Sequence, residues 1–303
     1  MRVLVTGATG FVGANLLRLL VGEQIDVCVL MRKNSNPWRI SDLLNSVTVL
    51  EGDLLDLSSW KRSLREINAE VCIHLAWYAE PGTYLTSQKN VDMAAATLEL
   101  ATYLSKLGCK KFVGTGTCLE YDTDAGRLSE EAATGPRTLY AICKLSTYNK
   151  LVKLSAETGL DFKWARLFYQ YGPFEHEKRL VPTTIRSLLR NRNIRINNGR
   201  LTRDFLHVHD TASAIWNLAT STISGSVNVG SGSPITVRSF VEKIGDIMDR
   251  RGLFTFRDSE DKQEPRVIYA DISKLKNNTN WSPLYNLETG LRNTVEWWTK
   301  RLS

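Results

Sequence analysis

Three glycines, at positions 7, 10 and 13, fix how this chain must begin. They stand in Thr6-Gly7-Ala8-Thr9-Gly10-Phe11-Val12-Gly13, between the apolar run Val3-Leu4-Val5 and the helical pattern that starts at Asn15. The first glycine permits a tight turn out of a strand. The second leaves bare backbone for a pyrophosphate to approach, and the third lets a helix pack close to the strand. The helix start then offers unpaired N–H groups to an anion. A glycine triplet alone is weak evidence, but one that leaves a strand and opens a helix predicts a dinucleotide loop. A tight turn with no ligand is the alternative.

The residues beyond this loop support that start. Short β-branched runs at Val27–Leu30, Val47–Leu50, Val71–Leu75, Phe112–Thr115 and Phe162–Ala165 alternate with helical patterns at Phe11–Val21, Ser58–Ile67, Val91–Leu107 and Leu139–Ala156. Repeated βαβ units of this kind predict a Rossmann-like, doubly wound parallel sheet covered by helices on both faces. After Gly172-Pro173 the rhythm changes to mixed helices, turns and short strands, ending in the amphipathic pattern Leu287–Trp298. The expected division is a dinucleotide-binding domain over 1–172 plus about 199–224, and a smaller interleaved α/β substrate lobe over about 173–198 and 225–303.

Composition excludes several classes. No apolar run reaches the roughly 18 residues a membrane span needs, and the N-terminus turns glycine-rich where a secretory apolar region would continue, so a cytoplasmic protein is expected. The five cysteines are odd in number with no C-x-x-C pair, and the four histidines are scattered, which predicts neither a disulfide framework nor a metal site. The net charge of +7 invites a nucleic-acid reading, but the densest basic stretch, 186–203, lacks interleaved stacking aromatics. Anionic small molecules are the expected partners, and no nucleic acid or membrane.

Two positions bear on which cofactor the loop holds. An acid about 20 residues past the loop would grip the ribose 2′-hydroxyl of NAD, whereas arginine there suits the 2′-phosphate of NADP. Arg32 and Lys33 follow the second strand and no acid lies between them and Asp42, which favours NADP, with NAD the alternative. A solvated basic turn would look the same. Asp53, past the third strand, is placed to accept from an adenine amino group or to cap the next helix.

Tyr140 and Lys144 are four residues apart in a helical pattern, so phenol and amine share a face. Hydride chemistry at a carbinol needs a proton donor or acceptor near neutral pH. Bringing a tyrosine from pKa ~10 to ~7 takes about 4 kcal/mol of preferential phenolate stabilisation, which a neighbouring ammonium supplies in part. The loop Gly114-Thr115-Gly116-Thr117-Cys118-Leu119-Glu120-Tyr121 puts the Thr117 hydroxyl at the carboxyl end of the sheet, opposite that pair. In isolation, an ordinary amphipathic helix would explain Tyr140 and Lys144 equally well.

The motifs taken together resemble the extended short-chain dehydrogenase/reductases of the NAD-dependent epimerase/dehydratase type, which act on nucleotide sugars. GATGFVG at 7–13, Gly52-Asp53-Leu54, His74-Leu75-Ala76, Asn90-Val91, GTGTCLEY, YAICK, Tyr171-Gly172-Pro173 and Arg203-Asp204-Phe205 run in order along almost the whole chain. The resemblance implies that Thr117, Tyr140 and Lys144 are catalytic. It implies a cofactor site that includes Gly7, Gly10, Phe11, Val12 and Gly13, continues through Asp53, Leu54, Leu75 and Ala76, and is completed by Asn90 and Phe168. Arg203 would hold the substrate diphosphate, a bidentate task suited to guanidinium. Arg266, in Glu264-Pro265-Arg266, would be a second such contact, and Tyr78, Tyr169, Arg179 and Leu180 would line the sugar. Family members often pair through the helices 91–107 and 139–156, which implies a homodimer.

Two departures narrow the activity. Dehydratases of this type carry Asp-Glu directly after the threonine, where this chain has Cys118-Leu119. The 4-epimerases, which retain NAD, carry asparagines where this chain has Tyr169 and Arg179. The expected activity is reduction at C4 of a nucleoside-diphosphate 4-keto-6-deoxyhexose, as in the CDP-paratose and abequose synthases. A 4-epimerase is the rival, and a non-enzymatic NADP- or RNA-binding protein on the same fold is a remote one.

Overall fold

The protein is described here by a computed structural model covering residues 1–257 and 265–302. Its strands are β1 (Arg2–Thr6), β2 (Asp26–Met31), β3 (Thr48–Glu51), β4 (Val71–His74), β5 (Lys111–Thr117), β6 (Arg127–Leu128), β7 (Asp161–Leu167), β8 (Tyr169–Tyr171), β9 (Ile194–Asn197), β10 (Thr202–His207), β11 (Gly225–Val229), β12 (Pro234–Thr236), β13 (Phe254–Arg257) and β14 (Val267–Ala270). Its helices are α1 (Phe11–Gly22), α2 (Lys61–Ile67), α3 (Lys89–Lys106), α4 (Leu139–Thr158), α5 (Leu180–Leu189), α6 (Val208–Thr220), α7 (Val237–Ile247), α8 (Ser273–Asn278) and α9 (Leu287–Leu302).

Seven strands form one parallel sheet in the order β11-β7-β5-β4-β1-β2-β3. Period-two alternation sends Val3 and Val5 to a core with Leu16, Leu17 and Leu20 of α1. It sends Leu4 and Cys72 to the other face, against Leu100 and Leu104 of α3. Both faces are covered, so these strands are apolar at most positions, and polar exceptions such as Thr6 and His74 are hydrogen-bonded to each other. The order reverses at β1, whose neighbours are β2 and β4, and a crevice opens there beyond the carboxyl ends.

A second sheet runs β12-β10-β14-β6, with β8 also paired to β10, and β9 pairs with β13 in a short ribbon. Helices α5, α7 and α9 enclose a separate core that includes Ile185, Phe240, Ile244, Leu291 and Trp298. The strands depart from the expected boundaries at two places. Residues 225–229, expected in the smaller lobe, form β11, which pairs with β7 and closes the large sheet. Residues 202–207, expected with the larger domain, form β10 at the heart of the second sheet. Hydrophobic periodicity identifies such short strands but carries no information about which partner completes their hydrogen bonds.

A further difference concerns the stretch read as a small-residue loop. Residues 114–117 continue β5, and the turn comes at Cys118–Glu120. The small residues make room for Trp164 on the adjacent β7: a Cβ on Gly114 would lie 2.5 Å from the indole, and one on Gly116 would collide with Trp164 Nε1 and Glu120 Oε1. Gly116→Ala is therefore expected to lower stability by about 1–3 kcal/mol. Gly22→Ala, whose Cβ would meet nothing within 4 Å, is expected to be neutral or to stabilise by up to ~1 kcal/mol. Urea unfolding midpoints check both, and equal midpoints for the two variants would contradict the packing account.

Candidate active site

The glycine loop fits a pyrophosphate. Gly7 has φ 74°, and a Cβ there would lie 2.6 Å from the Ala76 nitrogen, so β1 and β4 approach as closely as backbones can. Gly10 caps α1 with no side-chain hydrogen bond, which leaves the N–H groups of the first turn to an incoming anion. Phe11 and Val12 open that helix, half-buried, and Gly13 is buried against the loop. Thr6 Oγ1 accepts from Ala76 N at 3.3 Å and meets His74 Nδ1 at 2.8 Å, while His74 Nε2 meets Thr97 Oγ1 at 2.9 Å. Leu75 N–H donates to Thr6 O at 3.1 Å. The floor of the crevice is thus cross-linked through one buried imidazole.

Arg32 and Lys33 are exposed on the turn after β2. Asp53 Oδ1 accepts from Leu55 N at 3.0 Å, a local capping contact, and Leu54 is buried. Sequence reasoning missed Arg39. Its Nη1 donates to Thr9 O at 3.3 Å and its Nε to Phe174 O at 2.8 Å, tying the glycine loop to the segment after β8. A lone arginine in a connecting loop gives no sign of such a contact.

The three expected catalytic groups come together. Thr117 ends β5, and its hydroxyl accepts from Leu119 N at 3.3 Å. Tyr140 and Lys144 lie on the first turns of α4, which Thr138 caps through Ala141 N. Lys144 Nζ donates to Thr115 O at 2.7 Å and stands 5.9 Å from the Tyr140 ring centroid. Burial pushes the lysine down to about 7, against the pull of Glu120. The phenol is raised above its ordinary value by burial, with Tyr84, Glu120 and Cys118 adding to the effect and the Thr117 hydrogen bond opposing it. In the protein alone Tyr140 is firmly protonated, whereas the sequence suggested a phenol already loosened.

Aromatic side chains wall this pair. Tyr84 meets the Tyr140 ring edge-on at 5.0 Å, and Arg179 lies 5.2 Å over Tyr84. Trp77 donates to Asn90 Oδ1 at 2.8 Å, and Asn90 Nδ2 donates to Tyr84 O and Ser87 O. Asn90, expected at the cofactor, thus directs three hydrogen bonds into the protein. Tyr78 is half-buried, its hydroxyl 2.9 Å from Thr83 Oγ1. Phe168 is buried at the end of β7, and Leu180 opens α5.

Beneath Thr117 lies Glu120, fully buried. It accepts from Thr117 N at 2.9 Å, Trp164 Nε1 at 3.1 Å and Arg166 Nε at 2.8 Å. Across the crevice, Arg203 is 3% exposed, donates to Thr202 O and Arg266 O, and lies 5.6 Å from the Tyr169 ring. Its charge also reaches Cys118, next to Thr117. Arg266 is exposed, and the Glu264 before its proline lies outside the described residues. Glu175, also missed, is 7% exposed. Burial pushes its carboxyl up to about 8 against the charge of Arg179.

Comparison with known proteins adds four findings. The profile of the NAD dependent epimerase/dehydratase family matches residues 3–230. The chain is 27% identical to a probable dTDP-glucose 4,6-dehydratase of Sinorhizobium fredii, over 98% of this chain and 93% of that protein. It is 26% identical to a UDP-glucuronate 4-epimerase of Thermodesulfobacterium geofontis, over 97% and 95% of the two chains. Its fold superposes on the UDP-glucose 4-epimerase of Thermotoga maritima, solved with UDP-glucose, with a TM-score of 0.89, 24% identity and full coverage of both chains.

The buried imidazole has a consequence for stability. Burial, with the charge of Lys144 adding, holds His74 down to about 3. An unfolded histidine titrates near 6.5, so below that pH the unfolded chain takes up the proton first. Stability is therefore lost as pH falls from ~6.5 towards ~3, by about 1.4 kcal/mol per unit. His74→Gln has no such proton. The stability gap between wild type and variant, measured by urea unfolding, is expected to shrink by about that amount per unit between pH 6 and pH 4. A constant gap would mean that the imidazole titrates alike in both states.

Proposed function

The chain belongs to the NAD dependent epimerase/dehydratase family, and on that premise we propose that it reduces C4 of a nucleoside-diphosphate 4-keto-6-deoxyhexose, with NADPH as the hydride source. The observation that carries this reading is the group of Thr117, Tyr140 and Lys144, with a protonated phenol and no acid pair after the threonine. Cys118 is a buried thiol pushed up to about 12, Leu119 is apolar, and the Glu120 carboxylate is occupied by Arg166 and Trp164. Water elimination needs a carboxyl beside the sugar, and these positions do not offer one.

In this reading the glycine loop and the first turn of α1 hold the pyrophosphate, and Arg32 and Lys33 meet the 2′-phosphate. The cofactor supplies the hydride. Thr117 holds the C4 oxygen and Tyr140 gives it a proton, while Lys144 carries the neighbouring positive charge that stabilises the phenolate left behind. Arg203, with Arg266 beside it, takes the diphosphate, and Tyr78, Tyr169, Arg179 and Leu180 shape the sugar pocket. No helix among the described residues is long and apolar enough to cross a membrane. The reading places the enzyme in the cytoplasm as a homodimer formed through α3 and α4, where Val91, Ile142 and Val152 are exposed.

A 4-epimerase is the second reading, favoured by the likeness to the Thermodesulfobacterium geofontis epimerase over 97% of the chain. Stoichiometric NAD released on denaturing the purified protein would select it, and a protein that arrives empty would select the reductase. Tyr140→Phe is expected to bind NADPH normally and to lose turnover by ~10²-fold or more. Near-normal turnover would remove the assignment. Replacing Arg32 and Lys33 together by alanine is expected to erode the preference for NADPH over NADH in kcat/KM, and an unchanged ratio would remove the cofactor choice.

A further inference from the structure

Lys144 is an ammonium that has been taken out of water. Its Nζ lies 3.7 Å from the centroid of the Trp77 indole and 5.7 Å from that of Trp164. The Thr115 carbonyl accepts one of its protons. Burial of a lysine favours the neutral amine, and in this cleft it brings Lys144 to about 7. An aromatic face is an uncharged group that favours the ammonium instead, and indole is the strongest of the natural ones.

The ring can act this way only if it is held, and it is. Trp77 Nε1 donates to Asn90 Oδ1 at 2.8 Å, and Asn90, fully buried on the first turn of α3, donates to Tyr84 O at 2.6 Å and Ser87 O at 2.8 Å. Trp77 and Tyr84 both meet Tyr140 edge-on, at 6.4 Å and 5.0 Å. One carboxamide therefore holds the indole over the amine and the backbone of Tyr84, whose ring borders the phenol.

We propose that Trp77 is a positioning residue for the acid/base pair: locked by Asn90, its indole face keeps the Lys144 amine charged inside the cleft. This rests on the reading of Tyr140 and Lys144 as the catalytic pair. The other titratable and charged groups around them are His74 of β4, Cys118 and Glu120 of the turn after β5, Tyr84 of the aromatic loop and Arg166 of β7. His74 and Cys118 are held neutral by burial, and Arg166 is paired with Glu120. That leaves the charge of Glu120, the Thr115 carbonyl and the indole face to support the ammonium against desolvation.

The test reads the amine directly, by following the Lys144 Nζ resonance against pH in the folded, ¹⁵N-lysine-labelled protein with no substrate present. Trp77→Leu is expected to lower the midpoint by about one pH unit, the equivalent of about 1.4 kcal/mol. The basic limb of the turnover profile should move down with it. Trp77→Met, which fills the space without a π face, is expected to do the same if the leucine variant does not fold. Trp77→Phe should recover part of the shift. A folded leucine or methionine variant with an unchanged midpoint overturns the proposal, as does a phenylalanine variant that falls as far as leucine. Failure of the catalytic reading would look different: Tyr140→Phe would keep its turnover while the Lys144 midpoint still moved in Trp77→Leu.

Discussion

One buried carboxylate sets the reactive end of the sheet. Glu120 gathers the Thr117 backbone N–H, the Trp164 indole N–H and the Arg166 guanidinium. Removing one partner from a buried ion pair costs about 3–5 kcal/mol, because the other charge is left uncompensated. The carboxylate must therefore stay, and it fixes where β5 ends: Thr117 has its N–H tied to Glu120 and its hydroxyl bonded to Leu119 N. The glycine at 116 has the same cause, since any Cβ there would enter the space between Glu120 and Trp164.

Parts of this site that depend on local spacing were legible in the sequence. The glycine loop announces itself by three residues in one turn, and the shared face of Tyr140 and Lys144 by a separation of four. The parallel sheet was legible because burial on both faces demands continuous apolar strands. Contacts made across distant segments were not. Glu120 reads as one more acid in a polar stretch, although its partners lie at 164 and 166. Arg39 is 30 residues from the carbonyl it holds at Thr9. Trp77 precedes Tyr78, which the resemblance placed against the sugar, but its approach to Lys144 requires the fold. The pairing of β11 with β7 was missed for the same reason.

The second sheet matters because it brings a buried guanidinium, that of Arg203, to the crevice near Thr117. Arg203 and Asp204 are neighbours on β10 and point to opposite faces. The Arg203 charge reaches Cys118 beside Thr117, whereas Asp204 accepts from Ser231 N, Gly232 N and Ala270 N and binds β10 to the segments around it. One residue of the pair faces the cleft and the other anchors the strand that carries it. Across the junction, Tyr121 donates to Asn228 Oδ1 at 2.8 Å, and Asn228 Nδ2 donates to Leu128 O at 2.9 Å, so the turn after β5, β11 and β6 are joined by one carboxamide.

The same enclosure that orders the site also biases its chemistry. Proton donation to a carbonyl needs a phenol that holds its proton until the oxygen becomes basic, and proton removal from a carbinol needs one that has already lost it. Burial among Tyr84, Cys118 and Glu120 favours the first state, and the Thr117 hydrogen bond is the opposing contribution. Lys144 does not reverse this in the protein alone, because its ammonium is turned towards the Trp77 face and the Thr115 carbonyl. A tyrosine more open to water would titrate nearer its ordinary value and would serve both directions more evenly. The aromatic wall therefore acts on the chemistry: by excluding water from the phenol it keeps Tyr140 in the proton-bearing form, the form that can donate to an oxygen as it becomes basic.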